Sequence, residues 1–506
     1  MLKHKEIPDF LRLISQFIKS DNPKTFKSWE VNQPYTDLRI KQMVLKDVRQ
    51  YCLYSDIAEG YCLDLSLSGK PISSVFLGGN GTGKSTLFAS LEYMYLGYSE
   101  IALAHSPDKD IEDYFRGINK EAKDIKLECD LMDNISCEGN TITDYGIPSS
   151  FCSECDYFQI SREWSNITGY IAKQIGFQEV WTQLEDLRKL SRFLNFASKY
   201  KEKEQQIAVA KIKLKKFEKG SKEYKAITSR KKTAEKDRRV INDRFLISGG
   251  QVYYKRITQF IKEIEKCEDL EQNTDELTNL LDYIEKQWQI IIDLLVRILN
   301  SVMPAVLGAS LFEGKESIEI KGNKGIVSIE LKVKPRNFDV VEDYDERSPI
   351  QYLNTFRLKL FCISLKLSLL ICSKILHHTV IPFFIDDIFD SSDFNHRSSI
   401  GRFIVRLLKA HDSVIASYPE VSKEDLPLQL VFFTQDNIIA ENVYNGIRYW
   451  SDENQIKNEF GVKFRRLFTP ADVITDMDKD DNHHSDLKSI TIRGINKMVI
   501  DISDPI

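Results

Sequence analysis

Alternation of apolar and polar residues, the mark of a half-buried strand, runs from Arg39 to Val48 (RIKQMVLKDV) and from Tyr61 to Ser68 (YCLDLSLS). A wholly apolar run, Ser74-Val-Phe-Leu77, follows; glycines come next, then a helical pattern, Thr86-Leu-Phe-Ala-Ser-Leu-Glu-Tyr-Met94. Further on the period lengthens. Helical patterning covers Trp181 to Ser198, and Ile207, Ala210, Leu214 and Phe217 recur at three-four spacing. Past Gly220-Ser221 the spacing resumes with Tyr224, Ile227, Ala234, Ile241 and Phe245, with Lys231 and Arg238 at two seam positions. Two antiparallel helices meeting at Gly220-Ser221 account for this, and helix continues from Tyr253 to Val302 after a break at Gly249-Gly250. Alternation returns from Ser317 to Val333 as two runs around Gly322-Asn-Lys-Gly325, hence a hairpin. A long helix from Tyr352, a buried strand from Val380 to Ile385, a helix after Ser391 and an apolar strand from Leu428 to Phe433 complete the pattern.

Strands alternating with helices predict an α/β head with a parallel sheet, and the long helical tract predicts an arm inserted into it. The expected divisions are an N-terminal helical extension over 1–37, head halves over 38–175 and 305–470, a helical hairpin arm over 176–304 and a tail over 471–506. Phe10, Ile14, Phe17 and Ile18 give the extension one apolar face.

Charge sharpens the arm. The net charge is only −5, yet Lys199 to Phe245 holds 17 Lys and Arg against 7 Asp and Glu, so that segment is +10 and the rest −15. Such a surface suits a nucleic-acid backbone or is simply hydrated. Lys359, Lys366 and Lys374 interrupt the longest apolar region, Leu358 to Ile388, and no membrane span is expected. The first residues lack the apolar core of a signal peptide, so the cytoplasm is the expected location. Nine scattered cysteines suit reduced thiols, and Cys152-Ser-Glu-Cys155 has half the spacing of a zinc or redox site without a second half. The acidic, histidine-rich run from Asp476 to Asp486 reads as hydrated surface.

Chemistry concentrates at Gly78, Gly79, Asn80, Gly81, Thr82, Gly83, Lys84, Ser85 and Thr86. Strand before and helix after make this a P-loop, in which glycines let successive backbone N–H groups and a helix N-terminus wrap a triphosphate. Lys84 reaches the β- and γ-phosphates, and the Ser85 hydroxyl is a ligand for Mg²⁺. A second carboxylate must come from the end of another buried strand, and Pro382-Phe-Phe-Ile-Asp386-Asp387 supplies it. Asp386 is placed for the metal and Asp387 for orienting the attacking water. ATP and Mg²⁺ are thus the expected cofactors.

These motifs, split by a helical arm between residues 84 and 386, resemble the ABC-type ATPase heads of the SMC, RecN and RecF class. The resemblance implies a P-loop head with a mixed sheet, flanking helices and an inserted antiparallel hairpin. It implies further site residues: Gln159 of Tyr157-Phe-Gln-Ile-Ser161 as a Q-loop ligand of Mg²⁺, Asp393 as the D-loop aspartate, Arg49 as a nucleotide contact and Asn354 at the signature position. Two heads pairing head to tail would then lend Asn354 and Asp393 to each other's nucleotide. There are departures: Asp387 stands where glutamate is usual, Gln435 where a switch histidine is common, and the signature lacks its Gly-Gly. Glutamine orients water but shuttles no proton, so slow turnover is expected.

More narrowly, the P-loop run with Phe151-Cys-Ser-Glu154, Asn354-Thr-Phe-Arg-Leu-Lys-Leu-Phe361 and Phe384-Ile-Asp-Asp-Ile-Phe-Asp-Ser-Ser392 resembles the ATPase subunit of Septu-type antiphage defence, PtuA, with its retron-associated relatives. That resemblance implies an HNH nuclease partner (PtuB) and, in retron-linked forms, a reverse transcriptase with its RNA–DNA product. The alternatives are a DNA-repair or chromosome-associated ATPase and a nucleotide-sensing scaffold without useful hydrolysis. No HNH or Toprim pattern is present in the chain, so any cutting is expected from a partner.

Overall fold

A computed structural model describes residues 36–49, 61–79, 81–105, 111–116, 125–132, 136–138, 147–266, 274–311, 316–333, 345–389, 394–418, 427–453, 462–467 and 499–501. The expected N-terminal helix, most of the tail, Asn80 and Asp393 lie outside these residues.

In chain order the first part holds β1 (Thr36–Asp37), β2 (Ile40–Lys46), β3 (Tyr61–Asp64), β4 (Ser66–Leu67), β5 (Lys70–Pro71), β6 (Ser73–Leu77), α1 (Lys84–Leu96), α2 (Glu100–His105), α3 (Ile111–Arg116), β7 (Lys126–Leu131), β8 (Ser136–Glu138), β9 (Phe151–Cys152), α4 (Glu154–Glu163) and α5 (Ile167–Gln174). Long helices follow: α6 (Gln178–Leu214), α7 (Lys222–Ile247), α8 (Ile257–Lys266) and α9 (Thr274–Leu311). The last part holds β10 (Glu316–Asn323), β11 (Ile326–Val333), β12 (Asp345–Arg347), α10 (Pro349–Tyr352), α11 (Thr355–His377), β13 (Thr379–Val380), β14 (Phe383–Asp386), α12 (Phe394–Ala416), β15 (Leu430–Thr434), α13 (Asn437–Glu453), β16 (Val462–Leu467) and β17 (Val499–Asp501). Two compact units result: Glu179–Ile290 belongs to one, and the remaining described residues form the other.

The larger unit is an α/β head. Its six-stranded sheet runs β17-β16-β6-β15-β14-β9, parallel throughout except for the antiparallel edge strand β17. Every residue of β6, β14 and β15 is buried, as expected of parallel strands covered on both faces. An aromatic row crosses the sheet: Phe76 stacks on Phe433 at 4.9 Å and Phe151 on Phe384 at 4.5 Å. Phe88 of α1 sets its ring edge-on against Phe151 and Phe433, at 5.6 and 6.0 Å, and so fixes the helix leaving the P-loop.

A second, antiparallel sheet, β3-β2-β7-β8, contributes Ile40, Met43 and Leu45 to the same core. The β10–β11 hairpin forms as expected, closed by Lys324 and Gly325 at φ +51° and +72°, the double left-handed turn that suits strand twist.

The helix expected from Tyr352 instead starts at Thr355, because the Asn354 side chain caps it by accepting the Arg357 N–H at 2.9 Å. Leu281–Leu307 and Thr355–His377 are long and apolar enough to cross a membrane, by length and composition; 89% of the second's most apolar window is buried in the head. Its three lysines are buried too, and Lys359 and Lys366 are neutralised by Glu154 at 2.7 Å and Asp156 at 2.6 Å.

The smaller unit is the arm. α6 is one continuous helix of 37 residues, longer than its two-part sequence pattern, with a buried stripe at Leu184, Leu187, Leu190, Phe193, Ala197, Tyr200, Ile207 and Ala210. The chain reverses at Gly220 (φ +106°), and Ser221 caps α7. Gly249 (φ +101°) ends that helix where the sequence placed a break. Phe193, Phe245 and Phe260 then cluster with centroids 5.0 to 5.6 Å apart. Of the helical pattern expected from Tyr253 to Val302, the described residues hold α8 and α9, and α9 runs on to Leu311 through Pro304 because Met303, Val306 and Leu307 are fully buried.

Candidate nucleotide site

Five parallel strands deliver their carboxyl ends to one edge of the sheet, and the register decides which residues meet there. Leu77 lies beside Thr434, Asp386 beside Phe433, and Ile385 beside Cys152. Gly78, Gln435, Asp387 and Ser153 therefore lead out of neighbouring strands.

Gly78 N–H donates to Thr434 C=O at 3.1 Å and Asp387 N–H to Phe433 C=O at 3.1 Å, which ties the P-loop and the aspartates to the same central strand. A Cβ on Gly78 would meet Thr82 Oγ1, and Leu467 Cβ at 2.9 Å, so only glycine fits. One on Gly79 would meet nothing within 4 Å: the loop opens onto space there. Gly81 and Gly83 take φ +83° and +95°, and Thr82 Oγ1 donates to Gly79 C=O at 2.8 Å to hold the curve.

α1 begins without the usual side-chain cap and with no acidic residue in its first turn. Its N–H groups and dipole are thus available to an anion. Lys84, 5% exposed, donates from Nζ to the carbonyls of Gly78 at 2.6 Å and Gly79 at 3.4 Å, and lies 3.5 Å from Asp387 Oδ2. Ser85 is exposed beside it. Asp386 ends β14 and is 7% exposed. Asp387 adopts φ +44°, a left-handed conformation costly to a non-glycine residue, and this turns its carboxylate toward Lys84. An uncapped helix N-terminus, a cradle open at Gly79, a lysine held in reserve and a hydroxyl with a carboxylate nearby fit a triphosphate and a divalent cation.

The remaining candidates are placed unevenly. Gln435 is exposed at the end of β15, one residue before Asp436, whose carboxylate accepts the Ile438 and Ile439 N–H groups and Arg397 Nη1. Asn354 is exposed at the N-terminus of α11. Arg49, at φ +43°, stacks its guanidinium 4.4 Å above the Tyr114 ring. Gln159 lies two turns into α4 and its Nε2 donates to Glu163 at 2.9 Å.

The register pairs Ile385 with Cys152, so Ser153 and Asp386 are the next residues along the two neighbouring strands, an adjacency that sequence reasoning missed. Ser153 opens α4 in a capping box with Asp156, whose other oxygen accepts from Lys366. Ser-x-x-Asp before a helical run was the available signal. Cys152 is wholly buried and its thiol pushed well up by burial; among the described residues no group of three or more His, Cys, Asp or Glu suits a metal ion.

No family model matches the chain, and no curated protein matches it. Among solved structures it is similar to the Smc head domain with an extended coiled coil, bound to the C-terminal domain of ScpA, from Pyrococcus furiosus: 13% identity, 87% of this chain and 100% of that one, TM-score 0.36. It is also similar to the recombination mediator protein RecF-ATPrS, with 9% identity, 86% of this chain and 98% of that one, TM-score 0.34.

Proposed function

We propose that this chain is an ATPase that binds ATP with Mg²⁺, turns it over slowly, and uses its nucleotide state to control a separate HNH-type nuclease in an antiphage complex. One observation carries the ATPase reading: Lys84, the uncapped start of α1 and the aspartates 386 and 387 converge at the carboxyl edge of a parallel sheet, with Lys84 Nζ 3.5 Å from Asp387 Oδ2.

In this reading Lys84 exchanges the carbonyls of Gly78 and Gly79 for β- and γ-phosphate oxygens. Ser85 and Asp386 would hold Mg²⁺, which when bound would supply charge neutralisation for phosphoryl transfer. Asp387, released from Lys84, orients the attacking water; Gln435 positions water without carrying a proton, which slows the step. A second copy docked head to tail would bring Asn354 and Asp393 over the γ-phosphate, with Arg49 as a further nucleotide contact. The nuclease partner and, in a retron-linked form, a reverse transcriptase rest on the motif resemblance alone.

Phosphate release by wild type, Asp387→Asn and Gln435→His tests the enzyme. The expected order is Gln435→His at or above wild type, and Asp387→Asn at least about a hundredfold below it. The Lys84–Asp387 pair also favours a second reading, a scaffold that binds ATP and never cleaves it. Binding without turnover in every variant supports the scaffold. Failure of a neighbouring HNH protein to co-purify, with or without ATP, removes the nuclease role.

A further inference from the structure

We propose that the tip of the arm, residues 209–232, grips single-stranded nucleic acid, with Phe217 as the stacking platform. The inference stands apart from the nucleotide reading, because it rests on the arm alone. From Lys211 to Lys232 the sequence carries ten Lys and Arg against two acidic residues, Glu218 and Glu223. Lys211, Lys213, Lys216, Lys219 and Lys222 are all exposed.

The arm does not treat its charge uniformly. Below the tip, three cations are paired: Lys201 with Glu265 at 2.9 Å, Lys203 with Asp237 at 3.4 Å and Arg238 with Glu204 at 3.4 Å; at the tip's edge Lys231 pairs with Glu235 at 3.5 Å. Among the described residues, none from Lys211 to Lys225 is in an ion pair. Like charges crowded on one helix repel, so a merely hydrated tip would gain from the interspersed acids that the base of the arm has. The tip is arranged for a polyanion.

Apolar exposure says which polyanion. α6 ends at Leu214, and Phe217 stands in the turn beyond it, 41% exposed, between Lys215-Lys216 and Lys219; Ile212 is 59% exposed a turn below. A flat ring among phosphate-seeking ammonium groups suits an unstacked base over a backbone, a combination an acidic protein surface does not need. A duplex hides its base faces, so the occupant is a single strand.

The test is fluorescence anisotropy of labelled oligo(dT) of about 20 nucleotides, and of a matched duplex, with the full chain. The proteins are wild type, Phe217→Ala, and the triple variant Lys213→Glu, Lys216→Glu, Lys219→Glu, each checked by circular dichroism. Wild type is expected to bind the single strand with a log–log salt slope of roughly −3.5, as about five neutralised phosphates give. Phe217→Ala should weaken that binding about tenfold and leave the duplex unaffected, while the triple variant loses both. The proposal is overturned by absence of binding at low salt, by a folded triple variant that binds like wild type, by polyglutamate competing as well as oligonucleotide, or by Phe217→Ala having no effect.

Discussion

At the scale of single residues, Gly78 has no room for a side chain and Glu92, on the helix that leaves the P-loop, is buried with its proton. Gly78→Ala drives a methyl group into Thr82 Oγ1 and Leu467 Cβ, neither of which is the end of a flexible chain. It is expected to displace the loop and cut ATP affinity at least about tenfold in a titration with a fluorescent analogue. Glu92 is a different case. Burial lifts its carboxyl from 4.5 to about 8, with Ser99 Oγ donating to it at 2.7 Å as a partial offset. The folded state holds the proton that the unfolded chain releases near 4.5, so this group's contribution to stability is full below that pH. It is lost as pH rises toward about 8. Glu92→Gln should therefore melt with wild type near the lower value and several degrees above it on the alkaline side. Equal melting temperatures across the range would contradict the assignment. Lys84, Ser85, Asp386 and Asp387 were legible in sequence because each motif is contiguous and its chemistry sits at a strand end. Ser153 was not, since its neighbour Asp386 is far away along the chain and β9 is only two residues long.

At the scale of elements, α11 depends on α4. Lys366, fully buried, donates to Asp156 at 2.6 Å and Gln174 at 2.7 Å, while Lys359, about two turns earlier on the same helix, pairs with Glu154 at 2.7 Å. Through these contacts the segment beside Asp386 and the helix that begins at Asn354 hold one another in place. Lys366→Ala leaves a carboxylate without its cation in a mostly buried setting, and a loss of about 3 kcal/mol by chemical denaturation is expected. Restoring hydrophobic fit on both sides, with Lys366→Met and Asp156→Leu together, should recover part of that loss; an additive double variant would show that the pair is not coupled. Sequence patterning found α11 through its apolar content and read its lysines as interruptions of a membrane span. Their partners lie 205 and 210 residues away, so nothing local announced that they are buried and paired.

At the scale of the whole molecule, the described residues form two compact units, one a head and the other a helical arm. The alternation of strands and helices made the α/β head legible, and the charge step between the arm and the rest marked a separate module. Helix lengths were less legible: α6 continues where its apolar stripe thins, and α9 passes Pro304 because tertiary burial outweighs a missing hydrogen bond. The division predicts that nucleotide acts on the head first. Hydrogen exchange should show ATP protecting residues 78–96 and 383–389, whereas uniform protection that includes 205–240 would point to a single cooperative body.

The central claim is that the edge of the sheet around Lys84 is a triphosphate site. Equilibrium binding of ATP with Mg²⁺ to wild type and Lys84→Ala tests it most directly. Saturable binding by wild type, and weakening of at least about a hundredfold in a folded Lys84→Ala variant, is the result this structure leads one to expect. Equal affinity in the two proteins, or no binding by wild type, would contradict it.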